Sequence, residues 1–140
     1  MKKILRMLTL TLTLLLIAAA AVSTAAAAPN PFIGAWESTD TDGSYQTLTI
    51  GGGPGDTHFA RYYDFGATVC GLDPETNEIL YAASAMGFLA ETGNDIHGST
   101  QVYCQTSPPE PLPYLSQLAF TYQPESDTLI DIWGVVWSRR

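Results

Sequence analysis

The feature that most constrains the fold is a series of short segments in which polar and apolar residues alternate, each bounded by turn residues. The clearest is Tyr45–Ile50, where Gln46, Leu48 and Ile50 share one face and threonines occupy the other. Successive side chains of a β-strand point to opposite faces, so this period of two predicts a strand with one buried face. Glycine- and proline-rich clusters such as Gly51–Asp56 are typical of the turns between such strands.

The same criteria predict further strands along the chain. They cover residues 32–39, 57–64, 67–70, 79–90, 95–105, 114–123, 128–132 and 135–137. Segment 79–90 also contains residues compatible with a helix, and Asp73–Glu75 could cap one, but Gly87 and the strand-like neighbours favour a strand. Trp133–Gly134 is expected to form a bulge before the last strand.

These segments predict seven or eight short strands, since the shortest segments need not stand alone, and at this spacing they leave no room for crossover helices. The sequence therefore predicts an all-β fold, a small up-and-down antiparallel β-barrel. A flattened β-sandwich is the alternative that the pattern leaves open.

The N-terminal segment has the features of a secretory signal peptide rather than of a folded element. The first six residues carry three positive charges and no negative one, Met7–Val22 is uncharged and mostly apolar, and the small residues Ala25–Ala28 follow. This order of basic, apolar and small-residue regions is typical of an export leader. We expect cleavage after Ala27, which divides the chain into a signal peptide, 1–27, and one secreted domain, 28–140. An uncleaved anchor is less favoured, because the apolar stretch is shorter than the roughly 20 residues that a spanning helix needs.

Removal of this leader would leave a strongly acidic domain without lysine. Three arginines remain against 14 acidic residues, a side-chain charge of −11. Phosphate contacts need clustered basic residues, so the composition argues against a nucleic-acid surface. It also argues against stable membrane association after cleavage, and partners would be cationic, neutral or apolar.

Cys70 and Cys104 are the two cysteines of the sequence. An exported chain matures in an oxidising compartment, secreted or periplasmic, so a disulfide between them is the favoured interpretation. A two-thiolate metal site is the alternative, but the chain has no CxxC motif and neither histidine has ligand-like spacing to a cysteine.

Gly34-Ala35-Trp36 resembles the Gly-x-Trp signature of lipocalins and the wider calycin group, which includes small barrels of the avidin type. In lipocalins an arginine near the end of the chain lies over the signature tryptophan. Here the chain ends Trp137-Ser138-Arg139-Arg140, so either arginine could take that place. The resemblance implies an up-and-down barrel whose first strand pairs with its last, with Trp36 and Arg139 in structural roles. A guanidinium over an indole face contributes about 0.5–2 kcal/mol.

Few residues are candidates for catalysis or metal binding. Asp40–Gly43 places two carboxylates at alternate positions, as calcium loops do, but it lacks the further ligands and is typical of a turn. His58 and His97 are the general-base candidates near neutral pH, and neither belongs to a catalytic motif. We therefore expect a non-enzymatic protein with no catalytic residues, no metal site and no cofactor.

Aromatic residues are the most informative group for function, because an eight-stranded barrel can hold one small apolar ligand. The candidate cavity-lining residues are Tyr81, Met86, Phe120, Tyr122 and Trp133. The alternative hypothesis is a protein-interaction or inhibitor domain that uses exposed loops, Gly51–Asp56 and Ser107–Pro113, instead of a cavity.

Overall fold

The chain forms a closed, eight-stranded antiparallel β-barrel. The computed structural model describes residues 29–78, 81–105 and 114–140, so the expected leader and the loop Ser107–Pro113 lie outside the described residues. The strands within these ranges are β1 Gly34–Thr39, β2 Tyr45–Gly51, β3 Thr57–Asp64, β4 Ala83–Thr92, β5 Asp95–Cys104, β6 Tyr114–Gln123, β7 Thr128–Asp131 and β8 Val136–Arg139. Each strand pairs antiparallel with the next, and β1 also pairs with β8. The all-β barrel is thereby confirmed, and the flattened sandwich is wrong.

The connections between strands gather at two ends of the barrel, because successive strands run in opposite directions. We call the end that carries the connections after β1, β3, β5 and β7 the open end. The closed end carries the connections after β2, β4 and β6, together with the N-terminal segment 29–33 and the last residues of the chain. Functional side chains are located below by these two ends.

The larger of two buried hydrophobic clusters extends from the closed end to the middle of the barrel. Leu48 and Ile50 are buried, as is Gln46, so the predicted alternation of β2 is confirmed. The buried hydrophobic residues of this cluster are Phe32, Trp36, Leu48, Ile50, Ala60, Leu89, Ile96, Leu118, Phe120, Leu129 and Trp137. The rings of Phe120 and Trp137 meet edge to face at 5.7 Å, which is a favoured aromatic arrangement.

Three local predictions differ from the structure. Segment 67–70 is not a strand, since Thr68–Cys70 forms a 3₁₀ helix in which the Cys70 amide donates to the Ala67 carbonyl at 2.9 Å. The strand predicted at 79–90 is real, but its described extent is Ala83–Thr92. Trp133–Gly134 lies in the turn between β7 and β8 and is not a bulge, because the Asp131 carboxylate accepts the Trp133 and Val135 amides at 2.9 Å each.

The Cys70–Cys104 disulfide is present, as predicted. It ties the 3₁₀ helix in the connection after β3 to the last residue of β5, and so holds one wall of the open end. No helix within residues 29–78, 81–105 and 114–140 has the length and apolar character needed to span a bilayer.

Candidate functional site

The closed end is sealed by Arg139, whose guanidinium lies over the Trp36 ring with Cζ 4.2 Å from the ring centroid. The pairing of β1 with β8 sets Arg139 directly beside Trp36. Its Nη1 donates to the Ile33 carbonyl at 3.0 Å, and its Nη2 donates to the Pro31 carbonyl at 2.9 Å. Arg139 therefore ties the N-terminal segment to the last strand. Of the two candidate arginines, Arg139 takes the place over the indole.

Glycine at position 34 leaves room for the Arg139 guanidinium. A Cβ atom at this position would lie 2.6 Å from Nη1 of Arg139, and the residue has a φ of +153°, which glycine adopts more readily than other residues. The Trp36 indole also donates to the Phe32 carbonyl at 3.0 Å. The Gly34-Ala35-Trp36 motif thus forms part of the seal, and these contacts are structural.

A cavity of about 490 Å³ opens at the other end of the barrel. Leu118, Phe120 and Trp137, which are buried core residues, form its apolar floor. Strands β7 and β8 have four residues each, whereas β4, β5 and β6 have ten. The barrel wall is therefore shorter on the β7–β8 side, and the open half holds only a smaller cluster of buried hydrophobic residues, Ala67, Ala83, Ala85 and Val102.

One wall of the cavity is polar and centres on Asp64. This carboxylate is only 6% exposed, at the end of β3. Its Oδ2 accepts the Tyr62 hydroxyl at 3.2 Å and the Gln46 amide at 3.3 Å, and its Oδ1 accepts the Gly66 backbone amide at 3.0 Å. Burial and the nearby carboxylate raise the pKa of Tyr62 well above its usual value, so its phenol stays a neutral donor.

Two further carboxylates, Asp40 and Asp131, line the same cavity. Asp131 accepts the Trp137 indole at 3.2 Å as well as the turn amides described above, so this carboxylate orients an aromatic floor residue. Trp133, in the same turn, lines the mouth with its side chain 67% exposed. The residues Ala67, Thr68 and Val69, on the segment held by the disulfide, complete the lining.

The five predicted cavity residues lie in different places. Phe120 and Trp133 line the cavity. Tyr122 is half-buried at the closed end, where its hydroxyl donates to Asp127 at 3.2 Å. Tyr81 lies beside Gly71 in the connection before β4, and Met86 is exposed on the outer face of β4.

The prediction missed Gln46, Tyr62, Asp64 and Trp137 as cavity residues. The sequence did contain evidence for Tyr62 and Asp64, because the alternation of β3 places both on one face with His58. The burial of His58 and Asp64 shows that this face is the inner one.

The histidines do not belong to this cavity. His58 is buried near the closed end, with Nε2 2.7 Å from Oε2 of Glu91, and the same oxygen accepts the Asn30 amide at 2.6 Å. His97 is exposed on β5. Among the described residues there is no group of three or more His, Cys, Asp or Glu side chains that could hold a metal ion. Segment Asp40–Gly43 is a turn in which the Gly43 amide donates to the Asp40 carbonyl at 3.0 Å.

The outer surface carries a second feature, a row of aromatic rings. Phe59 and Phe88 meet edge to face at 5.4 Å across β3 and β4. Phe65 contacts both Tyr63 and Tyr45, at 4.6 and 5.5 Å between ring centroids. We call these five rings the outer aromatic row. Phe88 and Phe65 are exposed, so part of the row is open to solvent.

These features define the class of the protein: an eight-stranded, antiparallel up-and-down barrel, compatible with a calycin-like fold, with a sealed end and a cavity at the opposite end. No protein-family model, curated protein or solved structure matches this chain significantly.

Proposed function

We propose that this protein is an exported, non-enzymatic, lipocalin-like binding protein that holds a small, mainly apolar molecule at the open end of its barrel. The observation that carries the proposal is the cavity of about 490 Å³ above the floor of Leu118, Phe120 and Trp137. Its volume falls in the range of about 300–1,000 Å³ typical of small-molecule sites. Burial of apolar ligand surface against this floor supplies the driving force for binding.

Two further observations support the parts of this proposal that concern export and family. The Cys70–Cys104 disulfide is typical of proteins that mature in an oxidising compartment, which agrees with the predicted leader. The stacking of Arg139 on Trp36 reproduces the contact that the resemblance to lipocalins implies. Both support assignment of the chain to secreted calycin-like barrels.

A fluorescent probe tests the binding of a small molecule. The neutral dye N-phenyl-1-naphthylamine becomes brighter in an apolar site, and we expect saturable enhancement with one site per chain. Trp133→Ala should weaken binding, because Trp133 lines the mouth. The matched control is Phe88→Ala, an aromatic side chain of similar exposure (60%) on the outer face. Equal affinities of the two variants, or no saturable binding to the wild-type chain, would refute the proposal.

The outer aromatic row favours a second candidate function, a protein-interaction or inhibitor domain. Exposed aromatic side chains that lie together mark interaction surfaces on many proteins. Of the two loops named above as contact sites, Gly51–Asp56 lies at the closed end with most of its residues exposed. If the protein works in this way, Phe88→Ala abolishes capture of a partner from the secreted fraction while Trp133→Ala leaves capture intact. This is the opposite of the pattern expected for cavity binding.

A further inference from the structure

The cavity carries a charge pattern that its apolar floor does not explain. Three carboxylates, Asp40, Asp64 and Asp131, line it, and no arginine or histidine of the described residues does. These carboxylates would repel an anionic ligand, and a purely apolar ligand would desolvate them without a compensating charge. The lining therefore favours a ligand with a positive charge.

The environment of Asp64 is a second indication that the ligand is a cation, because this side chain is buried and has no cationic partner among the described residues. Its hydrogen-bond donors, the Tyr62 hydroxyl, the Gln46 amide and the Gly66 backbone amide, are all neutral. A buried ionised carboxylate is costly unless a counter-charge accompanies it. Asp64 lines the cavity, so a cationic group of a ligand can reach it from there.

The arginines among the described residues are engaged elsewhere. Arg139 binds Asp127 and the backbone of the N-terminal segment at the closed end, and Arg140 lies 3.7 Å from Glu37. Arg61 lies on β3 between Ala60 and Tyr62, which both face inward, so it belongs to the outer face. None of the three can neutralise Asp64 from within the cavity.

The three carboxylates line one cavity, together with Tyr62. Burial is the main cause of the raised pKa of the Tyr62 phenol, and the nearby carboxylates Asp64, Asp40 and Asp131 raise it further. No three acidic side chains of the described part of the chain are arranged to hold a metal ion. An organic cation is therefore the better match than a metal ion.

We propose that the cavity selects a protonated amine with an apolar body. The ammonium group lies against the Asp64 carboxylate, and the body packs on Phe120 and Trp137. The aromatic lining adds to this selection, because ammonium groups are attracted to indole and phenol faces. This inference rests on the proposed function, since it names the chemical class of the ligand that the same cavity holds.

Calorimetric titration with three matched probes tests the inference. The probes are 4-phenylbutylamine, 4-phenylbutan-1-ol and 4-phenylbutanoate, which share one apolar body and differ in the charge of the end group. We expect the amine to bind about tenfold more tightly than the alcohol, and the carboxylate more weakly than both, because a charge-assisted hydrogen bond in a partly desolvated site exceeds a neutral one.

Two substitutions locate the effect. Asp64→Asn should abolish the preference for the amine and leave the alcohol within about twofold, because the asparagine carbonyl still accepts hydrogen bonds without a charge. Asp42→Asn removes the same charge from an exposed turn position that does not line the cavity, and should change neither affinity. If Asp64→Asn does not fold, Asp40→Asn at the rim serves instead and should reduce the preference by a smaller factor.

The outcomes separate the inference from the proposed function. Equal binding of amine and alcohol, or equal losses in Asp64→Asn and Asp42→Asn, overturns selection of a cation and leaves binding by the cavity intact. Failure of all three probes, while N-phenyl-1-naphthylamine still binds, also overturns it. Failure of that dye as well refutes the proposed function itself.

Discussion

Replacement of Arg139 by methionine tests whether the seal of the closed end stabilises the barrel. Methionine keeps an unbranched apolar side chain over Trp36 but removes the guanidinium. The variant loses the contact with the indole face and the two hydrogen bonds to the Pro31 and Ile33 carbonyls. The ion pair with Asp127 is also lost, but its partners are 33% and 50% exposed and solvent screening leaves it a small contribution.

The expected loss of stability follows from these contacts. The cation–π contact contributes about 0.5–2 kcal/mol. Each hydrogen bond contributes about 0.5–1.5 kcal/mol, since the carbonyls can be rehydrated once the arginine is gone. We expect a decrease in the free energy of unfolding of about 2–3 kcal/mol. With a urea dependence of about 1–3 kcal/mol per molar, the unfolding midpoint should fall by about 0.7–3 M.

Urea unfolding followed by tryptophan fluorescence and circular dichroism measures this loss. Arg140→Met is the matched control, because Arg140 is 65% exposed and should change stability by less than about 0.5 kcal/mol. Arg139→Lys should be intermediate, since an ammonium keeps the charge but lacks the planar fork that reaches both carbonyls. Equal midpoints for Arg139→Met and Arg140→Met would refute the structural role of the seal.

Three further predictions concern the closed end, the disulfide and the cavity wall. Gly34→Ala should destabilise the barrel by about 1–3 kcal/mol in urea unfolding, because of the backbone conformation at this position and the approach of Nη1 of Arg139. A smaller loss of stability in the Arg139→Met background would identify the part caused by the steric clash. No loss in either background would contradict the prediction. Reduction of the Cys70–Cys104 disulfide should lower the free energy of unfolding by about 4 kcal/mol. It should also weaken binding of N-phenyl-1-naphthylamine, because the disulfide holds the cavity wall at Ala67–Val69. Unchanged dye affinity after reduction would argue against this role of the disulfide in the cavity wall. The raised pKa of Tyr62 stabilises the folded state fully below pH 10, and this stabilisation is lost as the pH rises above 10, where the unfolded chain ionises its tyrosines. The unfolding free energy of Tyr62→Phe should therefore decline less steeply than that of the wild type between pH 9 and 11.5. Parallel declines would show that Tyr62 does not contribute to the pH dependence of stability.

Local sequence patterns were sufficient to predict those features whose physical cause lies within a single strand. The alternation in β2 predicts that Gln46, Leu48 and Ile50 share an inner face, and the structure buries all three. The same rule places Tyr62 and Asp64 on one face of β3. It failed at residues 67–70, where a short apolar run predicts a strand but the chain forms a 3₁₀ helix. Three or four residues contain too few alternations to distinguish the two.

The cavity residues were less predictable, because they depend on contacts between distant strands. Aromatic character suggested Phe120 and Trp133 as candidates, and the structure places both in the lining of the cavity. The same search also named Tyr122, which lies at the closed end, and the apolar Met86, which lies on the outer face. An inward-facing residue lines a cavity only where no neighbour fills the space in front of it, and this depends on how far along the barrel it lies.

The amino-acid sequence alone was enough to indicate an all-β chain with closely spaced strands, a disulfide and an acidic surface, because alternation, cysteine usage and charge are properties of single segments or of composition. Closure of the barrel is different, since it joins residues from opposite ends of the chain. Pairing of β1 with β8 placed Arg139, and not Arg140, over Trp36. The short strands β7 and β8 leave a cavity at the open end of the barrel, and the buried Asp64 carboxylate lines it. Only the folded barrel brings that charge together with an aromatic floor, because the spacing between strands depends on curvature and strand length and not on the period of any one strand.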